Sequence, residues 1–336
     1  MMKFDHIKDN IYIHGRFFYS NILYLYNTAS GIEFNFIGSF VSVKMKTIPI
    51  QQNSAWMKVI IDNKYDEAID IKPNNIESEY IIFNNDDKKL HNIKLMKASE
   101  AIESHIVISD ISYVGEFKDK PTYEKEILVI GDSTTSAYGN LGKVNDAKTL
   151  YDTDGLSGYT NLVARYFNAS LNSLNASGWG LCFSPWTTPM RRPLFDIYDK
   201  VGPFSDEVYD LKKIKPYVII LSFGTNDSYY FDLGKDEKNK DELIKEFKNK
   251  YHDFLVRLQE DFLDTPILMV YGLMREKHNF DIMHDIYLSN KDKYNLYECF
   301  ILGDGMGVSG HPSKNSHQEI SKKIIKTIME IKDGRC

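Results

Sequence analysis

The sequence predicts two domains of unlike architecture, a β-sandwich or jelly roll over residues 1–120 and a three-layer α/β domain over residues 121–336. Two observations carry this. Up to Phe117, apolar residues alternate with polar ones in short stretches, the signature of strands with one buried face. After Pro121 they gather into unbroken runs separated by helical patterns, as strands buried on both faces of a parallel sheet do.

In the first domain Ile32, Phe34 and Phe36 interleave with Glu33 and Asn35, and Val41, Val43 and Met45 with Ser42, Lys44 and Lys46. Both stretches predict half-buried antiparallel strands. Met57, Val59 and Ile61 continue the pattern, Asp62-Asn63 reads as a turn, and Asn84 to Asp87 marks another before Ile93 and Leu95. No segment carries a helical stripe, and short strands punctuated by turns favour a sandwich. In the second domain the runs Ile127–Ile130, Val218–Leu221 and Ile267–Val270 predict core strands. Between them, Leu243, Ile244, Phe247, Tyr251, Phe254, Leu255, Leu258 and Phe262 recur at helical steps. Strands alternating with helices give βαβ units. Ser316 and Glu319 read as a capping box opening a last helix with Ile320, Ile324, Ile325, Ile328 and Ile331 on its apolar face, and they leave His317 on the helix surface.

A net charge of −6 over 336 residues excludes a basic nucleic-acid binder, and 43% hydrophobic with 26% charged residues describes an ordered globular chain. The longest uncharged stretches, such as Phe17 to Ile32, are broken by Ser, Asn, Thr and Gly, so no membrane span is expected. Lys3, Asp5, Lys8 and Asp9 stand where a secretory signal needs an apolar run, which reads as a cytoplasmic protein. Cys182, Cys299 and Cys336 are odd in number and far apart, so free or buried thiols are expected rather than disulfides or a metal site.

In open α/β sheets ligands bind beyond the carboxyl ends of the strands, which directs attention to the residues after each apolar run. The first run exits into Gly131-Asp132-Ser133-Thr134, where a sharp turn can present the Ser133 hydroxyl. The second exits into Gly224-Thr225-Asn226-Asp227, where Asn226 offers either an amide donor for an oxyanion or an Asx turn. His311, in Gly310-His311-Pro312-Ser313 ahead of the last helix, is placed to act as a general base, in preference to His317.

Together these residues resemble the SGNH (GDSL-type) hydrolases. That resemblance implies a flavodoxin-like catalytic domain in which Ser133 is the nucleophile and His311 the base. Gly178, in Ser177-Gly178-Trp179-Gly180, would match the family's remaining oxyanion-hole glycine and act with Asn226. Gly15-Arg16, Gly38 to Lys44, Val59 to Asp62 and Leu95 to Ala101 resemble the jelly-roll domain of carbohydrate esterase family 2, whose members remove acetyl groups from sugars without a cofactor.

This sequence departs from the pattern twice. Many SGNH enzymes carry an aspartate three residues before the histidine, where Val308 stands here, and relatives often place a tryptophan where Gly310 stands. Family 2 implies a Ser-His dyad with the imidazole held by a main-chain carbonyl; alternatively, the glycines around Asp304 let that carboxylate fold back to complete a triad. Trp179, Tyr138 and Trp186 are the expected sugar-stacking residues, with core packing as the other use of such rings. The expected function is removal of O-acetyl groups from a sugar or oligosaccharide, with no cofactor and no metal. A carbohydrate O-acyltransferase and a carbohydrate-binding protein with a vestigial site are the rivals.

Overall fold

The structure, a computed structural model, describes residues 7–52, 54–186, 192–234, 236–274 and 278–335. Cys336 and Arg191, the latter paired in sequence with Arg192, lie outside them.

The N-terminal sheet contains β1 (Tyr12–His14), β2 (Phe17–Tyr19), β3 (Leu23–Leu25), β4 (Gly31–Pro49), β5 (Met57–Ile61), β6 (Ile69–Ile71), β7 (Ser78–Asn84), β8 (Leu90–Lys97) and β9 (Ser104–Phe117). The two apolar stretches expected as separate strands are one strand, β4, of 19 residues. Its first half pairs with β1 and β8, its second half with β7, and β9 runs beside it from Phe36 to Pro49. β4 therefore belongs to both layers of a sandwich, whose core is formed by Ile32, Phe34, Val41, Val43, Met57, Ile93 and Ile108. The register slips between Gly38 and Phe40, which is why the buried apolar side chains change from even positions (32, 34, 36) to odd ones (41, 43, 45). At that bend Gly38 faces Gly115, and a Cβ on either would come within 2.6 Å of the other's Cα.

The second sheet is parallel, in the order β11 (Ala169–Asn175), β10 (Lys125–Gly131), β12 (Pro216–Ser222), β13 (Ile267–Tyr271), β14 (Leu296–Phe300). This is the flavodoxin-like order, which reverses direction at β10. Leu128, Ile130, Ile219 and Leu221 pack against α4 (Lys240–Asp261), while Ile127, Val129, Val218 and Ile220 pack against α1 (Tyr159–Tyr166) and α6 (Lys314–Lys332), giving the three layers. The remaining helices are α2 (Leu194–Ile197), α3 (Thr225–Phe231) and α5 (His278–Asn290). Among the described residues no helix is long and apolar enough to cross a membrane. Cys182 and Cys299 are free thiols.

β11 is not evident from its sequence, because Ser170, Asn172, Ser173 and Asn175 interrupt the apolar pattern, yet all seven of its residues are buried. The sandwich partners two of them: Arg16 Nε donates to Asn172 Oδ1 at 3.0 Å and Thr28 Oγ1 to Asn175 Oδ1 at 3.3 Å, while Ser170 donates to the Lys125 carbonyl and the Asn172 amide group to Glu126 and Tyr209 within the α/β domain. The Arg16 guanidinium is fully buried and also donates to the carbonyls of Tyr198 and Lys200 at 2.6 and 2.8 Å. Ile60 and Met96, on the outer face of β5 and β8, join the core formed with α1.

Two expectations for the last helix are corrected. Its N-cap is Ser313, whose hydroxyl accepts from the Ser316 amide; Ser316 lies within the first turn and accepts from the Asp304 amide. His317 is fully buried instead of lying on the surface. It accepts a hydrogen bond from the Tyr159 amide at the start of α1 and stacks on the Tyr159 ring at 5.9 Å.

Candidate active site

Gly131 ends β10 where a side chain has no room, since a Cβ there would lie 2.6 Å from the Ser222 carbonyl oxygen and also meet Thr135. The chain turns at once, with Ser136 N bonded to Asp132 O and Tyr138 N to Ser133 O, and the Ser133 hydroxyl stands at the sheet edge. His311 arrives from the other side. Its Nε2 lies 2.8 Å from Ser133 Oγ, and its Nδ1–H donates to the Val308 carbonyl at 2.9 Å. That bond fixes the tautomer, leaving Nε2 free to accept the serine proton. The short reach back to Val308 depends on left-handed backbone at Ser309 and Gly310, with φ of 54° and 81°. A non-glycine residue held in this region stores strain, a common feature of functional loops.

Burial pushes the His311 pKa down to about 4, although the Val308 carbonyl and, more distantly, Glu100 oppose it and Lys148 adds to it. The imidazole is therefore neutral and able to accept a proton across the neutral range.

Asp304 does not form part of this pair. Its Oδ1 accepts from the Met306 and Ser313 amides at 3.1 and 2.9 Å, and its Oδ2 accepts from the Ser313 hydroxyl. The carboxylate ties its glycine-rich loop to the start of α6, and the carbonyl holds the histidine.

Neither the Ser133 nor the Gly178 N–H is used in a hydrogen bond among the described residues, so both remain available to an oxygen bound beside Ser133. Gly178 has φ of 77°, a conformation that a side chain would strain. Asn226, in the first turn of α3, is buried and donates from Nδ2 to Asp132 Oδ2 at 3.2 Å and to the Trp179 carbonyl at 3.1 Å. It thus links the nucleophile turn to the Gly178 loop, and in the free site both amide hydrogens are engaged. Asp227 beside it accepts from the amides of Leu181, Cys182 and Phe183, fixing the same loop from below. Burial, with a smaller contribution from Asp227, pushes the Asp132 pKa up to about 7, against the hydrogen bonds from Thr134.

The three aromatic residues expected to meet a sugar have different fates. Trp179 is corrected: at 1% exposure its ring lies in the core, edge-on to Phe204 at 5.3 Å, with no face open to a ligand. Tyr138 backs the histidine, ring to ring at 4.4 Å. Trp186 is 59% exposed on the loop that follows β11 and Gly178. Arg192 is held by Asp206 and the Ser205 carbonyl. Among the described residues no cluster of His, Cys, Asp or Glu is arranged to hold a metal ion.

Sequence reasoning missed the polar residues behind the site. Glu100, from the sandwich domain, is 1% exposed and accepts from the hydroxyls of Ser136 and Ser177. Its only trace in the sequence is a glutamate inside the Leu95–Ala101 motif.

A serine–imidazole pair stands at the switch point of the parallel sheet, beside two unengaged amides, an arrangement suited to acyl transfer. The chain belongs to the GDSL-like lipase/acylhydrolase family, whose model matches residues 127–298. Residues 13–120 match the carbohydrate esterase 2 N-terminal model, so the two matched regions together are like those of a carbohydrate esterase 2. It is 26% identical over 316 residues to the cellulase/esterase CelE of Acetivibrio thermocellus, the match covering 90% of this chain and 37% of that protein. It is 24% identical over 223 residues to an acetylxylan esterase / glucomannan deacetylase of Cellvibrio japonicus, covering 63% of this chain and 61% of that one. The chain thus spans less than two thirds of the length of either. A family two carbohydrate esterase from Clostridium thermocellum, solved with cellohexaose, shares the fold at a TM-score of 0.84 and 24% identity, over 97% of this chain and 100% of that one.

Proposed function

We propose that this protein is a serine esterase that removes O-acetyl groups from a carbohydrate through an acyl-enzyme. The observation that carries the reading is the 2.8 Å contact between Ser133 Oγ and His311 Nε2, with the imidazole held by a carbonyl on its other nitrogen. Ser133 Oγ adds to the acetyl carbonyl while its proton passes to Nε2. The oxyanion meets the N–H groups of Ser133 and Gly178, and Asn226 joins them by giving up one of its present acceptors. The proton on Nε2 then goes to the departing sugar oxygen, and water, activated by the same nitrogen, releases acetate and frees Ser133.

The names of the two relatives, an esterase and an acetylxylan esterase / glucomannan deacetylase, support an acetylated polysaccharide or oligosaccharide as substrate. The assembled Ser-His contact favours turnover over a purely carbohydrate-binding role.

The test is acetate release from acetylated monosaccharides, xylan fragments and glucomannan, with wild type and Ser133→Ala side by side and no added acceptor. Acetate from wild type alone is expected. Transfer of the acetyl group to an added hydroxyl compound, with no free acetate formed, would make the enzyme an acyltransferase, and equal release by Ser133→Ala would remove the nucleophile assignment.

A further inference from the structure

Two turns form the oxyanion site, one carrying Ser133 and one carrying Gly178, and the distance between them decides whether both N–H groups reach the same oxygen. Both turns are tied to one atom of the other domain. Glu100 Oε2 accepts from Ser136 Oγ at 3.0 Å and from Ser177 Oγ. The two hydroxyls also lie 3.0 Å from each other, and Ser136 Oγ lies 3.0 Å from the carbonyl oxygen of Ser133 itself. Ser177 directly precedes Gly178. A continuous set of close polar contacts therefore runs from the nucleophile's own peptide to the peptide before the second donor, with the glutamate as its anchor and the single hydrogen of Ser136 Oγ shared between Glu100 and the Ser133 carbonyl.

We propose that Glu100 of the N-terminal domain is a positioning residue for the oxyanion hole, setting the separation of the Ser133 and Gly178 turns through the hydroxyls of Ser136 and Ser177. The inference rests on the hydrolytic reading above and explains why the sandwich domain is built against the catalytic loops.

The surroundings of Glu100 fit that task. Its other oxygen accepts from Thr153 Oγ1 at 3.5 Å and pairs with Lys148 Nζ at 3.1 Å, and Lys148 also pairs with Glu103. Lys97, fully buried, donates to the Ser99 and Glu100 carbonyls at 2.9 and 2.6 Å, fixing the backbone that presents the carboxylate. A junction needed only for adhesion is served at least as well by apolar residues of similar volume, because burying charge is costly even when it is paired. A carboxylate does something an apolar group cannot, which is to hold two hydroxyls at a defined spacing. The same cluster also reaches the base: Lys148 Nζ lies 4.8 Å from the centre of the Tyr138 ring that backs His311.

The test compares Glu100→Ala, Glu100→Gln and the double variant Ser136→Ala/Ser177→Ala with wild type in aryl acetate hydrolysis. In parallel, the rate at which an aryl phosphonate modifies Ser133 reads the same geometry without turnover. Displacing the donors by an ångström or losing one should lower kcat about 10²-fold or more in Glu100→Ala, with KM within about threefold. The serine double variant leaves Glu100 paired with Lys148 and should show the same loss of kcat and of phosphonylation rate. Glu100→Gln, which keeps one oxygen for the two hydroxyls, should recover to within about tenfold of wild type. Wild-type kcat in the serine double variant would overturn the inference and leave Glu100 with domain docking alone. That result stands even if Glu100→Ala fails to fold. If wild type is inert toward acetates while its phosphonylation still slows in these variants, the esterase reading falls and the positioning role stands.

Discussion

Replacing Asp304 with asparagine separates a dyad from a triad, and the structure sets the size of the effect. The carboxylate holds the amides of Met306 and Ser313 on one oxygen and the Ser313 hydroxyl on the other, beside the N-terminus of α6. In Asp304→Asn the amide oxygen keeps the two main-chain donors, while the new NH₂ faces a serine hydroxyl that can turn to accept from it. What is lost is a negative charge near a helix N-terminus and one charge-assisted bond, worth about 1–2 kcal/mol of stability. His311 loses nothing, because its Nδ1–H donates to the Val308 carbonyl at 2.9 Å. The expected result is aryl acetate turnover within about tenfold of wild type with a slightly lower melting temperature, against the roughly 10⁴-fold loss of kcat that follows removal of a true triad carboxylate. The assay is kcat with far-ultraviolet circular dichroism on the same preparation. A thousandfold drop with an unchanged spectrum would refute the carbonyl-held dyad.

The base should titrate low: with the His311 pKa pushed down to about 4, kcat/KM should fall only as the pH drops through that value, because the protonated ring cannot accept from Ser133. An acid limb at the ordinary histidine value of 6.5 would show that the site hydrates more than its burial implies. Gly139→Ala should slow turnover through Val308, since the new Cβ would lie 2.5 Å from the Val308 Cβ at a backbone φ of 62°. A loss of about ten- to a hundredfold in kcat at constant KM is expected, and wild-type kcat would show that the loop absorbs the push without moving its carbonyl. The two tryptophans should separate cleanly, Trp179→Ala costing about 3–5 kcal/mol of stability by urea unfolding. Trp186→Ala should raise KM for acetylated oligosaccharides but not for aryl acetates. An unchanged oligosaccharide KM would remove Trp186 from the binding surface.

The parts of this protein legible in its sequence are those whose cause is local. Ser133, Asn226 and His311 could be singled out as candidates because each sits in a short turn, after an apolar run or before an apolar helix, and such turns carry their residue types with them. The apolar runs became β10, β12 and β13, and the helical spacing from Leu243 became α4, because burial on fixed faces imposes a period on neighbouring residues. Even the bulge in β4 left a trace, the change of parity between Phe36 and Val41.

Other features were decided only when distant segments met. β11 hid behind its serines and asparagines because the groups that satisfy them are spread over the chain, from Arg16 and Thr28 to Glu126 and Tyr209. His317 looked like a surface residue until α1 was packed over it, and Trp179 looked like a sugar platform until Phe204 closed against it. The partner of His311 could not be identified from side-chain types, since the group that holds it is a main-chain carbonyl, which every residue has. Glu100 marks the same divide: a glutamate near the end of a strand reads as solvent-facing, and only the docking of one domain on the other places it between Ser136 and Ser177. Periodicity records which face of an element is buried, whereas the partner waiting across that face is fixed by contacts between residues far apart in the chain.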